Sequence, residues 1–147
     1  MAVELVEVVA PQLLEAINSL IPQLSTSTPP LSIEQVENVV HQEGTFLFVY
    51  RAEEGTEQAG AIIGMLTLAT FRIPTGLRAW IEDVVVDENA RGHGAGQQLV
   101  EAALDYAERL GARTVDLTSR PSREAANRLY RRCGFVERAT NVYRYQA

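Results

Sequence analysis

Two hydrophobic periods alternate along this chain and divide it into strands and helices. Residues 2–9 interleave Val and Leu with Glu4 and Glu7, which predicts a strand. Pro11 suits the first turn of a helix, and Leu13, Leu14, Ile17, Leu20 and Ile21 follow at helical spacing. Residues 25–30, Ser-Thr-Ser-Thr-Pro-Pro, break the pattern and read as a surface loop. Ser32 predicts an N-cap, with Gln35 completing a capping box. Ile33, Val36, Val39 and Val40 give that second helix its apolar stripe, and Gly44 ends it. Residues 45–52 and 61–71 are apolar and partly β-branched on either side of a polar turn at residues 53–58, which predicts a hairpin. Residues 72–78 contain Pro74 and Gly76 and read as a loop.

Residues 79–86 predict a further strand, followed by a Gly-rich turn at residues 91–96. The third helix runs to about Leu110, with Gly96, Leu99, Val100, Ala103, Leu104, Ala107 and Leu110 on its buried face. Gly111 is its natural stop. Residues 114–118 read as a short strand. Ser122 caps a fourth helix that continues to Cys133, where Gly134 stops it. Residues 135–137 and 141–145 read as a terminal strand pair. The order β-α-α-β-β-β-α-β-α-β-β predicts an α/β fold: one mixed sheet with helices on both faces. With 147 residues the chain is expected to form a single domain over residues 1–147.

Composition narrows the function. Hydrophobic residues at 46% and charged residues at 22% fit a folded globular chain and argue against disorder and fibres. A net charge of −6 argues against general affinity for nucleic acid or an anionic membrane. A single cysteine, Cys133, rules out an intrachain disulfide framework and a multi-cysteine metal cluster. His41 and His93 are far apart in sequence, so no multi-His zinc site and no metal cofactor is expected, though carboxylates could still bind a hard cation. Residues 1–10 carry no basic stretch and do not resemble a signal peptide. No apolar run reaches the roughly 18 residues of a membrane helix. A cytoplasmic location is the default expectation.

The chemistry concentrates at residues 84–99, Val-Val-Val-Asp-Glu-Asn-Ala-Arg-Gly-His-Gly-Ala-Gly-Gln-Gln-Leu. A strand passes through a turn with Gly92, Gly94 and Gly96 into a helix. Glycines let the backbone approach a ligand and take positive φ. The first amides of a helix lack internal partners and, with the helix dipole, attract an anion. Arg91 adds a full charge beside them, so a pyrophosphate is the natural guest. The Gly-Lys-Ser/Thr of a P-loop is missing. The G-x-G-x-G spacing, late in the chain, also departs from the dinucleotide fingerprint G-x-G-x-x-G.

Arg91-Gly92-His93-Gly94-Ala95-Gly96 resembles the acetyl-CoA signature Arg/Gln-x-x-Gly-x-Gly/Ala of the GNAT superfamily of N-acetyltransferases. A second block, Asn127-Arg128-Leu129-Tyr130-Arg131-Arg132-Cys133-Gly134-Phe135, is similar to the family's later motif Asn-x-x-Leu-Tyr-x-x-x-Gly-Phe. The two stand in the family's order. The resemblance implies a GNAT-type acyltransferase fold and transfer of the acetyl group of acetyl-CoA to a primary amine of a small molecule or peptide. The amine attacks directly in a ternary complex. A non-catalytic acyl-CoA-binding or regulatory protein on the same scaffold is the alternative. Homodimers are common in the family.

The resemblance also assigns residues. The strand before the turn splays from its neighbour, and the pantetheine arm pairs with backbone at Val84, Val85 and Val86, a form of strand addition. Amides of Gly92, His93, Gly94, Ala95, Gly96 and Gln97 clasp the pyrophosphate beside Arg91. An amide near Val84 stabilises the developing oxyanion. Asn127 hydrogen-bonds the CoA arm. Tyr130 protonates the leaving thiolate, a role its phenol suits because a pKa near 10 lies close to that of a thiol. Glu82 is the candidate base for the amine, read as a buried carboxylate with its pKa raised toward neutrality; Asp83 is its rival. Alternation puts the two on opposite faces, and a bulge would swap them. Cys133 is a poor nucleophile candidate and reads as a small buried hydrophobe. Residues 25–30 and 72–78 are expected to border the acceptor site. The Ile81-Glu82-Asp83 strand is similar to that of aminosugar-phosphate acetyltransferases.

Overall fold

A computed structural model describes residues 2–56, 58–90, 92 and 94–147. Among these, β1 (Val3–Leu5) leads to α1 (Pro11–Leu20), a short 3-10 turn (Ile21–Gln23) and α2 (Ile33–Val40). Strands β2 (Thr45–Arg51), β3 (Ile62–Ile73) and β4 (Gly76–Val86) follow, then a second 3-10 turn (Glu88–Ala90). The chain closes with α3 (Ala95–Leu110), β5 (Val115–Asp116) and α4 (Glu124–Arg132).

Local chemistry sets several of these boundaries. The Ser32 hydroxyl accepts from the Gln35 amide at 3.2 Å, and the Gln35 side chain accepts from the Ser32 amide at 2.8 Å. That is the reciprocal box expected for α2. α3 ends at Gly111, whose φ of 98° lets the chain turn out of the helix.

The sheet runs in the order β1-β2-β3-β4-β5. The first four strands are antiparallel, and β5 lies parallel to β4. β2 is nearly continuous in apolar residues because it is covered on both faces. Phe48 and Tyr50 join Leu66, Leu68, Leu99, Val100, Ala103 and Ala107 in a layer under α3. Leu47 and Val49 join Met65, Leu13, Ile17, Leu20 and Val36 in a layer under α1 and α2. Helices therefore cover both faces, as the alternation predicts.

Four expectations need correction. Residues 135–137 and 141–145 form no strand pair; residues 136–147 carry no regular structure and are all exposed. Alternation marks a segment able to pair, but a strand also needs a free edge within reach. Residues 72–78 are not a loop. β3 extends to Ile73 and β4 starts at Gly76, so only Pro74 and Thr75 turn the hairpin, and Gly76 supplies φ 134°. β1 and β5 are shorter than read, at 3 and 2 residues. Ser122 does not cap α4; Arg123 holds that position without a side-chain bond.

Candidate active site

The two edges of β4 differ. Toward β3 it is paired from Gly76 opposite Ile73 to Val86 opposite Gly64. Toward β5 it is paired only at Ala79 with Val115 and Trp80 with Asp116, among the described residues. From Ile81 onward that edge borders an opening.

A bulge sits where the opening begins. Met65 faces Val85 while Thr67 faces Glu82, so two residues of β4, Asp83 and Val84, oppose the single Leu66 of β3. Asp83 absorbs the extra residue with φ 49°, the one positive φ outside glycine among the described residues. Asp tolerates that region better than most residues. The bulge resets the alternation. Ile81 packs in the α3 layer, and so do Val84 and Val86, while Val85 packs in the α1/α2 layer. Glu82, opposite Thr67, shares the α1/α2 face with Val85. Both Glu82 and Asp83 are exposed. Glu82 is thus not the buried carboxylate of the sequence reading: its side of β4 is left uncovered at that position.

The turn after β4 runs into a helix start without a side-chain cap. Gly94 is the N-cap residue of α3, with φ 72°, and Gly92 has φ 98°. A Cβ at Gly92 would meet nothing within 4 Å, so its requirement is conformational and the space beside it is open. The first turn of α3 carries no acidic residue. The first helical bond runs from the Gln98 amide to the Gly94 carbonyl at 3.0 Å, so the amides of Ala95, Gly96 and Gln97 precede the internal ladder. A helix of 16 residues places about half a positive charge at this end. Gly96 answers a second demand: a Cβ there would sit 3.0 Å from Leu129 Cδ2, so its absence lets α3 seat against α4. Arg91 and His93 lie outside the described residues.

α4 brings the second motif to the same region. Tyr130 is its buried residue, 7% exposed, with its ring edge-on to Phe135 at 5.9 Å. Burial pushes the Tyr130 phenol above its ordinary pKa, partly offset by Arg123 and reinforced by Cys133. Burial also pushes the Cys133 thiol up, with Glu101 adding and Arg132 opposing. Cys133 therefore keeps the thiol form, as expected of a poor nucleophile. Asn127 is half-buried, and its Nδ2 donates to the Arg120 carbonyl at 3.0 Å. It ties α4 to the segment after β5 and leaves its Oδ1 for another donor.

Three features escape the sequence. The Ser119 Oγ is buried with no hydrogen-bond partner among the described residues. It is an acceptor and donor left over at the C-terminal end of β5. Beside it, Arg120 and the hydroxyl-bearing Ser25, Thr26 and Ser27 line a hollow of about 350 Å³. Gln23 completes that wall, and its Oε1 accepts from the Glu88 amide at 3.0 Å, pinning the α1–α2 connection to the end of β4. The sequence places the 25–30 loop at the acceptor site, but no motif signals Gln23, Ser119 or Arg120, because loops from distant parts of the chain bring them together.

The site combines a strand with one bare edge, an uncapped helix start and a buried phenol. This arrangement suits an acyl-carrier-dependent transferase. No cluster of His, Cys, Asp or Glu able to hold a metal occurs among the described residues. No described helix is long and apolar enough to cross a membrane.

The chain belongs to the acetyltransferase (GNAT) family, whose sequence profile matches residues 13–135. It is 30% identical over 130 residues to glucosamine 6-phosphate N-acetyltransferase 1 of Oryza sativa subsp. japonica, covering 86% of this chain and 76% of the relative. It is 33% identical over 106 residues to N-alpha-acetyltransferase 30 of Schizosaccharomyces pombe, covering 72% of this chain and 67% of the relative. A putative acetyltransferase from Agrobacterium tumefaciens str. C58 superposes with a TM-score of 0.82 at 25% identity, covering 99% and 100% of the two chains. The protein is an acetyl-CoA-dependent acetyltransferase that transfers an acetyl group to an amine.

Proposed function

We propose that this chain acts as one catalytic domain that acetylates a primary amine by direct attack in a ternary complex, with acetyl-CoA along the bare edge of β4. The one-sided pairing of β4 carries this reading. Val84, Val85 and Val86 offer backbone groups to the pantetheine arm. The amides of Gly92, Gly94, Ala95, Gly96 and Gln97 receive the pyrophosphate, with Arg91 and His93 adjoining in sequence. Acetyl-CoA supplies the thioester carbonyl.

Glu82, or water held by it, takes a proton from the ammonium, since only the neutral amine is a nucleophile. The amine lone pair forms the C–N bond, and the Val84 amide faces the oxygen that gains charge. As the C–S bond breaks, Tyr130 gives its proton to the sulfur. The nitrogen loses its second proton as the intermediate collapses; of the two protons it gives up, one leaves to solvent and the other restores the phenol. The products are an amide and a free thiol. Burial of Tyr130 keeps it protonated for this step. Asn127, through its free Oδ1, accepts from an amide of the arm.

The acceptor is a primary amine on a hydroxylated, anionic molecule of the amino-sugar phosphate kind. Arg120 with Ser25, Thr26 and Ser27 offers one cation and three hydroxyls in one hollow. The naming of the rice relative for glucosamine 6-phosphate supports this choice. A panel of phosphorylated and unphosphorylated amino sugars, aminoglycosides and peptides, read by thiol release, tests it. Arg120→Ala is expected to reduce the preference for the phosphorylated sugar roughly 10- to 100-fold, the worth of a charged hydrogen bond. Equal rates on all amines, unmoved by Arg120→Ala, contradict the acceptor assignment.

A further inference from the structure

The uncovered stretch of sheet around Glu82 does not end at that carboxylate. Ile81 packs in the α3 layer, so Trp80 and Glu82, on either side of it and ahead of the bulge, both face the α1/α2 side. There α1 and α2 seat on Leu47, Val49, Met65 and Val85. Trp80 is half-buried and belongs to neither core layer among the described residues. It is also the only tryptophan of the chain. A core takes up an indole readily for its large apolar area, and one left half-open beside a carboxylate keeps a face free for a ligand.

The neighbours of Trp80 leave its ring accessible and set polar groups around it. In the β3 ladder it stands opposite Ala69, a single methyl group. In the parallel ladder it stands beside Asp116, which is half-buried and shares its face. The next residue of β4 on that face is Arg78, half-buried, whose Nη2 donates to Thr75 Oγ1 at 3.2 Å. A flat aromatic surface thus lies among the Glu82 carboxylate, the Asp116 carboxylate and a guanidinium. A pyranose has the matching form. One face of its ring presents C–H groups, which meet the negative face of an aromatic ring, while its hydroxyls and amine project from the edge toward acceptors. Two residues along a strand span about 7 Å, so a ring lying on the indole holds an edge substituent within reach of Glu82.

We propose that Trp80 is the platform on which the acceptor's sugar ring rests, its C–H face on the indole and its amine at Glu82. The inference rests on the amino-sugar reading of the acceptor and adds the residue that selects a ring over an acyclic amine. Trp80 moves no proton. It fixes where the ring lies, so it acts on acceptor binding and leaves the thioester side of the site as it is. Asp116 accepts from the ring hydroxyls beside it.

Because the chain has one tryptophan, its fluorescence reads the platform directly. Glucosamine 6-phosphate and phosphoethanolamine both carry a primary amine and a phosphate, and only the first has a ring. In the CoA-bound enzyme, the sugar is expected to shift Trp80 emission saturably and phosphoethanolamine to leave it in place. Trp80→Ala is expected to raise the KM for the sugar roughly 5- to 10-fold, with kcat little changed and acetyl-CoA affinity by calorimetry unchanged. Trp80→Phe keeps a flat ring and is expected to recover most of the loss; with the wild-type emission it decides the case if the alanine variant does not fold. A sugar that is acetylated with the same KM by Trp80→Ala, or that leaves the emission unmoved, overturns the platform and leaves the acceptor reading standing. A wild-type enzyme that does not acetylate the sugar at all overturns the acceptor reading, and the platform with it.

Discussion

The two edges of β4 share one backbone and face opposite circumstances. On the β3 side, the ladder runs from one end of the strand to the other, and its neighbours Leu66 and Leu68 are fully buried. On the β5 side, two pairs are followed by a gap beside Val84 and Val86. The paired edge is the part that holds the fold, through ladder bonds and the apolar area of Leu66, Leu68 and Leu99. The bare edge is the part that has unspent backbone donors. The bulge at Asp83 and the glycine turn lie at the mouth of the gap, which is where a ligand's main chain-like arm and its anionic end would need them.

That contrast can be broken from either side. The largest effect is expected at Tyr130. Tyr130→Phe removes the proton donor of the bare side, so kcat should fall about 10²- to 10⁴-fold while calorimetry shows unchanged acetyl-CoA affinity. An undiminished kcat would take Tyr130 out of the chemistry. On the paired side, Leu99→Ala deletes a fully buried side chain. It should cost about 2–5 kcal/mol in denaturant titrations, with kinetic constants little changed in the fraction that stays folded.

A smaller effect is expected in the turn. Gly94→Val forces a β-branched residue to φ 72°. A cost of about 1–3 kcal/mol follows, and it should appear as weaker acetyl-CoA binding more than as lower kcat. The pH profile sharpens the role of Tyr130. Burial favours the neutral phenol and raises its pKa above 10.0. The donor then stays protonated further into the alkaline range than an ordinary tyrosine, and the alkaline loss of kcat should set in correspondingly later. The same shift makes the folded state hold its proton longer than the unfolded one. Its contribution to stability is complete below the ordinary tyrosine pKa and is lost as pH rises through the folded one. The smallest effect is at the bulge. Asp83→Gly relieves the positive φ and should change stability by less than about 1 kcal/mol. Transfer should persist if Glu82 is the base; its loss would assign that role to Asp83.

Legibility in the sequence followed the range of the forces involved. The Ser32–Gln35 box, the glycine turn and the Gly111 stop depend on neighbours within four residues, and all three appear where the pattern puts them. The two-layer core was equally readable, because alternation along β2 sends Phe48 and Leu47 to opposite faces. The bulge was readable only as an option. It arises from the register of β4 against β3, which no single strand encodes. Glu82 was misread as buried for a related reason: what covers a strand's face depends on distant elements, not on the residue's own neighbours in sequence. Ser119 and Arg120 became site candidates only when the 25–27 loop was placed against them. The terminal strand pair read at residues 135–137 and 141–145 is absent, because alternation marks a segment able to pair without supplying its partner.

The account's central claim is that main-chain groups on the bare side of β4 and at the start of α3 hold the diphosphate-bearing carrier. Amide-resolved NMR titration with acetyl-CoA tests it most directly. The amides of Val84, Val86, Gly92, Gly94, Ala95, Gly96 and Gln97 should shift together at substoichiometric to stoichiometric ligand, while those of Leu47, Val49 and Leu66 on the paired side stay in place. Saturating shifts confined to other parts of the chain, with the Gly92–Gln97 amides unmoved, would contradict it.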